Sequence, residues 1–498
     1  MLSIRTTKTG SGATAVQIVR YEQRKKVIVA HMGSAHTDAE LHSLKSAAHS
    51  FIERHLKQLR LLSDPSASKN TLIALDKCRY VGMRYSFLYT TLHRVCDVFS
   101  FHTLKQPLLI DLAILRLMEP ASKLRSLELL KEYFGVSYYR QEFYRHLAAC
   151  VSKKNAVEQQ VVAVAKQHFG FDFTVVFYDV TTLYFESFTP DDLRKPGFSK
   201  DNKSNQPQIV IGLVVTPQGF PVAYELFAGN TFEGNTFIPV LLTLKKKHRI
   251  ATLTVVADAA MISQNNIEEL KKNGLRYIVG ARMGNLPSLT IVSVSNTLNH
   301  IDGATTRLCT AQGDLICGFS LTRFRKDKCE MEKQVKKAEY LLHAPGAVKR
   351  TKFLKSAGVA TYALHHELMK KAESLLGIKG YYTNLGNDIG NDAIIAQYRN
   401  LWHVEQAFRV AKSDLETRPI FHRKEDAIKT HILICFMALA MGKYLEIKSN
   451  RSLHAIMKAL KQITDARILN TLTNEEITLR MDVPEETEDM LKQIGVWY

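Results

Sequence analysis

The sequence predicts a multidomain α/β protein: a mostly helical N-terminal region, then an α/β core interrupted by a partly β insertion. Three observations predict it. The 498 residues exceed one ordinary domain of about 100 to 200 residues. From Glu40 to about Phe169, apolar residues recur at spacings of three and four, the helical period. Near Phe171 the texture changes to short, dense β-forming runs alternating with helical ones.

Each element follows from its residues. Val16-Gln17-Ile18-Val19 and Val27-Ile28-Val29, around the basic turn Arg24-Lys25-Lys26, predict a β-hairpin over Ala15 to His31. Pro107 and Pro120 mark breaks in the helical region. Phe173 to Tyr178 is a strand ending at Asp179. Gln208 to Val215 and Phe220 to Phe227 are strands joined by the turn Thr216-Pro217-Gln218-Gly219. A helix, Asn235 to Lys247, leads to the strand Leu253 to Ala257, ending at Asp258. A helix, Gln264 to Asn273, and a strand, Arg276 to Ala281, complete the order β-β-β-α-β-α-β.

The insertion, from Met283 to about Gly380, predicts strands over Ser288 to Val294 and Leu315 to Leu321 and a charged helix over Lys326 to Leu342. The core resumes at Gly380 to Asn384, followed by helices over Asp392 to Leu415 and Glu425 to Ile447. The tail after Asn450 reads as helical, with an acidic stretch around Glu485 to Asp489.

Composition narrows the function. Lys and Arg number 67 against 48 Asp and Glu, a formal charge of +19. Such an excess calls for a polyanionic partner, because each basic group set on a phosphate releases condensed counterions. No long basic amphipathic helix suited to a membrane surface is visible. The seven cysteines are scattered with no Cys-x-x-Cys pair, which argues against a disulfide framework or zinc site and suits a reducing cytosol. The polar sequence after Met1-Leu2-Ser3-Ile4-Arg5 shows no signal peptide, and the apolar run Ile432 to Met441 is too short to span a bilayer. A cytoplasmic protein is expected.

The chemistry rests on carboxylates. Asp179 and Asp258 each close an apolar strand of one β/α unit. A single strand-end Asp can simply cap a turn. Two on neighbouring strand ends repel unless neutralised, and a hard divalent ion such as Mg²⁺ supplies that charge. On a helix turning about 100° per residue, Tyr398, Trp402, Arg409 and Lys412 fall within about 60° of Glu405. Leu401, Val404, Phe408, Ala411 and Leu415 form a separate apolar stripe. One acid among basic and aromatic groups suits phosphodiester chemistry, in which paired metal ions act on the attacking and leaving oxygens.

These segments resemble bacterial insertion-sequence transposases of the DDE type. The stretch Tyr398 to Lys412 is similar to their Tyr-Arg-Glu-Lys signature: Tyr398, Glu405 and Lys412 match, while Leu401 stands in the Arg place. Phe177 to Phe185 and Val256-Ala257-Asp258 are similar to the first and second Asp motifs, and Glu119 to Lys123 and Arg418 to His422 to further family segments.

The resemblance implies an RNase H-like core, a mixed five-stranded sheet with flanking helices, divided as follows. Residues 1–36 are an N-terminal hairpin region, 37–169 a helical DNA-binding region, 170–282 and 380–447 the two parts of the catalytic core, 283–379 the insertion, and 448–498 a helical tail. It implies an endonuclease and strand-transferase holding two Mg²⁺ or Mn²⁺ ions on Asp179, Asp258 and Glu405. Tyr398, Trp402, Arg409 and Lys412 would contact DNA. A homodimer on paired element ends, recognising terminal inverted repeats and joining them to target DNA, is expected. Other readings left open are an inactive or repurposed DNA-binding protein and an RNase H-like nuclease without strand transfer. A sugar hydrolase with two carboxylates would leave the charge unexplained.

Overall fold

The structure, a computed structural model, describes residues 2–10, 12–22, 25–55, 75–186, 189–198, 205–261, 263–342, 351–358, 361–418, 420 and 422–497. The chain divides into two compact units. One takes Met1–Leu92, Leu127–Ser137 and Met457–Tyr498, the other His93–Ser126 and Tyr138–Ile456.

In the first unit, strands Leu2–Lys8, Thr14–Glu22 and Lys25–Ala35 form an antiparallel sheet covered by helix Asp38–His55. Val16, Ile18, Ala35, Leu44 and Ala48 are buried in its core. The expected hairpin is present with an added third strand, Leu2–Lys8, whose alternation is too short to stand out from loop. A second sheet pairs Cys78–Arg84 with the hairpin Asp465–Asn470 and Glu475–Arg480. Both segments fall where helix was expected. Their partners lie at opposite ends of the chain, so no local pattern exposes the pairing. Buried Asp465 is ion-paired to Arg480 at 2.7 Å.

The second unit is built on one sheet. Its strands are β1 Val175–Tyr184, β2 Gln208–Val215, β3 Pro221–Ala228, β4 Thr254–Ala257, β5 Arg276–Gly280, β6 Thr305–Thr310, β7 Gly313–Phe319 and β8 Ile378–Thr383. Their order is β6-β7-β8-β5-β4-β1-β2-β3. The strands β1, β2 and β3 form an antiparallel meander, and β4 and β5 run parallel to β1. The sheet thus has eight strands, not five. The returning strand β8 pairs antiparallel with β5, and the β6–β7 hairpin of the insertion pairs with β8, covering an edge that would otherwise expose unpaired backbone groups.

The labelled helices are α1 Glu233–His248, α2 Gln264–Lys272, α3 Leu321–Leu342, α4 Asn391–Arg399, α5 Trp402–Ser413 and α6 Glu425–Ser449. Residues Ser288–Leu298 form a helix, not a strand. Their β-branched residues favour strand, but Ile291, Val294 and Leu298 lie three and four apart and are buried together, so packing overrides propensity. The single helix expected over Asp392 to Leu415 is broken into α4 and α5. At the break the backbone bonds reach back only three residues: Leu401 N–H to the Tyr398 carbonyl at 3.0 Å and Val404 N–H to that of Leu401 at 3.1 Å.

Helix α6 is long and apolar enough to cross a membrane, yet 89% of its most apolar window is buried inside the protein. It packs on helix Pro107–Met118 and on β3, and Gly442 lets it approach Leu117 and Leu453 closely. Near its start, buried His431 lies 3.1 Å from the Thr417 carbonyl and edge-on to His422, ring centres 5.2 Å apart. Burial, with Lys123 and Arg116 nearby, pushes His422 down to about 3, and burial pushes His431 well below its ordinary value.

Two outcomes follow from the packing. Gly212 on β2 faces Tyr178, whose buried hydroxyl donates to Thr236 at 2.7 Å, and a Cβ on Gly212 would collide with that hydroxyl. Gly212→Ala should therefore destabilise the protein by about 1–3 kcal/mol, read from the denaturant midpoint. Both histidines are neutral when folded and take up protons near pH 6.5 when unfolded. The stability they contribute is complete above that pH and falls toward about 3 as the pH drops, by at most about 1.4 kcal/mol per unit and per ring. Denaturation at pH 7 and pH 5 should show the fall, and His422→Gln should lessen it.

Candidate active site

The register of β1 against β4 sets the first two carboxylates side by side. Tyr178 pairs with Ala257, so the next residues, Asp179 and Asp258, occupy adjacent positions on parallel strands, which lie about 4.8 Å apart. Backbone groups hold both: Val180 N–H donates to Asp179 Oδ1 at 2.8 Å and Ala259 N–H to Asp258 Oδ1 at 2.6 Å. Asp179 is half-buried and Asp258 exposed.

Helix α5 brings the third. It lies against β1 and β2, burying Val404, Ala407, Phe408 and Val410 and presenting Glu405, Arg409 and Lys412 on its other side. Asp179, Asp258, Glu405, Arg409 and Lys412 all line one open cavity of about 510 Å³, together with Thr181, Ser413 and Arg418. Three acids from three separate segments thus meet three bases.

The break between α4 and α5 separates the two aromatic residues from that cavity. Tyr398 is buried under β5, its ring 4.5 Å from that of Tyr381 and its hydroxyl 3.5 Å from Asp258 Oδ1. Burial first, and the neighbouring Asp258 next, raise its pKa, so the phenol keeps its proton and remains a donor. Gly280 makes room for it: a Cβ there would stand 2.6 Å from the Tyr398 hydroxyl. Trp402, at the start of α5, is 51% exposed and tilted against the His403 ring at 4.0 Å. Of the two arginines near the Leu401 position, Arg409 lines the carboxylate cavity, and Arg399 lines a different one, of about 720 Å³, with Arg323 and Lys379.

Sequence reasoning gave no role to Arg418 or Lys379. Arg418 opens the family-like segment Arg418 to His422, which is its signal in the sequence; its guanidinium sits over the Tyr184 ring at 5.8 Å. Lys379 had none, because only the return of β8 beside β5 brings it near the carboxylates. In the basic run Lys245 to Arg249, Lys245 donates to the Asn273 carbonyl at 2.7 Å and Lys247 pairs with Glu158 at 2.6 Å, which ties both into the protein. The other run, Lys349 to Lys352, falls partly outside the described residues.

The donor set suits a hard cation. The acids offer only oxygen, and Mg²⁺ commonly takes one or two carboxylates and keeps several waters. Among the described residues no three His, Cys, Asp or Glu side chains are grouped to hold one ion.

Residues 170–441 match the family model described as Transposase DDE domain, which is more than half of the chain. The chain belongs to that family. The transposase domain spans the whole eight-stranded sheet and most of α6. No curated protein matches the chain. Among solved structures, a piggyBac transposase in a synaptic complex with hairpin DNA is similar over 89% of this chain and 76% of that chain, at 10% identity and a TM-score of 0.38. A likeness of that size bears on neither fold nor chemistry. Family membership makes this a transposase with the nuclease chemistry and divalent-metal use general to DDE domains.

Replacing Gly280 by Ala should push Tyr398 off Asp258, costing about 1–3 kcal/mol of stability by overpacking and lowering DNA cleavage more than DNA binding. Parallel melting, gel-shift and cleavage measurements check it.

Proposed function

We propose that this transposase cuts and joins DNA with Asp179, Asp258 and Glu405 as its acidic triad, on a core whose meander and two parallel strands follow an RNase H-like order. One observation carries the reading: three carboxylates from β1, β4 and α5 share a single open cavity with Arg409, Lys412 and Arg418. Asp179 and Asp258 would hold one Mg²⁺ or Mn²⁺ and Asp179 and Glu405 a second. Such a pair activates an attacking oxygen and stabilises the leaving one.

The residues of the chain do the rest. Arg409, Lys412 and Arg418 line the cavity where phosphates flanking the cut would lie. The protonated Tyr398 orients Asp258 from below, and exposed Trp402 offers a ring to a displaced base. Water attacks the scissile phosphorus, the 3′-oxygen leaves and takes a proton, and the freed 3′-hydroxyl then attacks a target phosphodiester, releasing its 3′-oxygen.

Residues 37–169 would recognise the terminal inverted repeats of an insertion sequence, two copies of the chain would pair the ends, and the reaction would take place on the nucleoid in the cytoplasm. Footprinting of the full chain that showed no preference for end sequence would remove the first of these assignments.

The decisive experiment compares wild type with Asp179→Ala, Asp258→Ala and Glu405→Ala on DNA carrying the element ends, with Mg²⁺ or Mn²⁺. Wild type should cut and join, and each variant should bind yet lose at least about a hundredfold in cleavage, in the range of losses seen when charge stabilisation is removed from an active site. A variant cutting at the wild-type rate is not a ligand. Cleavage without joined product favours a nuclease, and binding without cleavage by wild type a DNA-binding protein.

A further inference from the structure

The larger cavity beside the site carries an excess of basic groups. It is lined by Arg323 of α3, Lys379 of β8 and Arg399 of α4, with Asp392 its sole lining carboxylate among the described residues. Arg323 is paired within its own helix to Asp327 at 3.3 Å. Neither Lys379 nor Arg399 is ion-paired among the described residues. Lys379 is half-buried, and its ammonium rests over the Tyr398 ring at 4.7 Å and the Tyr381 ring at 5.7 Å. Burial chiefly, and Arg323 next, lower its pKa, while Asp258 and Glu405 oppose the shift. With Arg323 paired to Asp327 and Asp392 on the lining, Arg323, Lys379 and Arg399 still leave a positive excess in a concavity of about 720 Å³, which favours an anion there.

Tyr398 joins this cavity to the carboxylates. Its ring lies beneath Lys379 and its hydroxyl 3.5 Å from Asp258. An anion held by Lys379 therefore sits one aromatic ring away from the cutting site. We propose that Arg323, Lys379 and Arg399 form a subsite for a backbone phosphate of the DNA strand that passes through the carboxylate cavity, so that the insertion and α4 fix the strand's path beside the cut. This rests on the DNA-cutting reading for its choice of ligand, and on the cavity's own charge for its existence.

The test uses the full chain without divalent metal, so that no turnover enters. Binding of a fluorescent DNA duplex is followed by anisotropy over a series of KCl concentrations for wild type, Lys379→Gln, Arg399→Gln, Lys379→Arg and the exposed control Lys272→Gln. Losing one phosphate contact should flatten the slope of log affinity on log salt by about 0.9. Lys379→Gln and Arg399→Gln should each show that loss, and Lys379→Arg and the control should not.

A single neutral methylphosphonate is then moved along one strand. The position that weakens wild-type binding should be without effect in Lys379→Gln. Variants that melt like wild type and keep its slope overturn the proposal, as does a methylphosphonate profile unchanged by Lys379→Gln. Tight binding of a nucleoside triphosphate that is lost in Lys379→Gln, with the DNA slope unmoved, would assign the cavity to a mononucleotide and also overturn it. If wild type fails to cut with metal while the slopes still fall, the subsite stands and the catalytic reading alone is lost.

Discussion

The register of β1 against β4 is the constraint from which the site follows. Pairing Tyr178 with Ala257 leaves Asp179 and Asp258 next to each other where the two parallel strands end. The residues before the two acids, Val176 to Tyr178 and Val255 to Ala257, are buried at consecutive positions, so both faces of these strands are packed, and a slip of one residue would exchange side chains of different size between two close-packed faces. The folding energy of the sheet thus holds two like charges together. Neighbouring backbone N–H groups satisfy part of each carboxylate, and the cavity in front leaves room for cations and phosphates.

Helix α5 completes the arrangement through division of its faces. Its buried side fastens it to β1 and β2, which fixes Glu405, Arg409 and Lys412 toward the acids. The tight turn at Asn400–Leu401 allows α4 to take another direction, so Tyr398 goes beneath the site while Trp402 stays outside. Leu401 is buried at that turn and lines the carboxylate cavity, and Arg409, one turn beyond Glu405, provides a guanidinium there.

The insertion is joined to the core by hydrogen bonds. Because β7 pairs with β8 and β8 with β5, its hairpin continues the same sheet that carries Asp179 and Asp258. Lys379 on β8 and Arg323 at the start of α3 are placed by that continuity. The +19 charge of the chain thus has at least one local expression close to the acids.

The sequence by itself determined the elements whose signal is local. The apolar strands ending in Asp179 and Asp258, the apolar stripe under Glu405 and the excess of basic residues were all legible, because burial, period and charge are properties of neighbouring residues. The tertiary structure alone decided what depends on distant partners. Strand Cys78–Arg84 forms against the tail hairpin, Ser288–Leu298 becomes helix because its buried residues face one way, and the sheet grows from five strands to eight when β8 pairs with β5 and the insertion's hairpin pairs with β8. Tyr398 moved from an open stripe to a buried post beside Asp258 for the same reason: a single turn of altered backbone redirects every side chain before it, and only packing against β5 and Gly280 selects that turn.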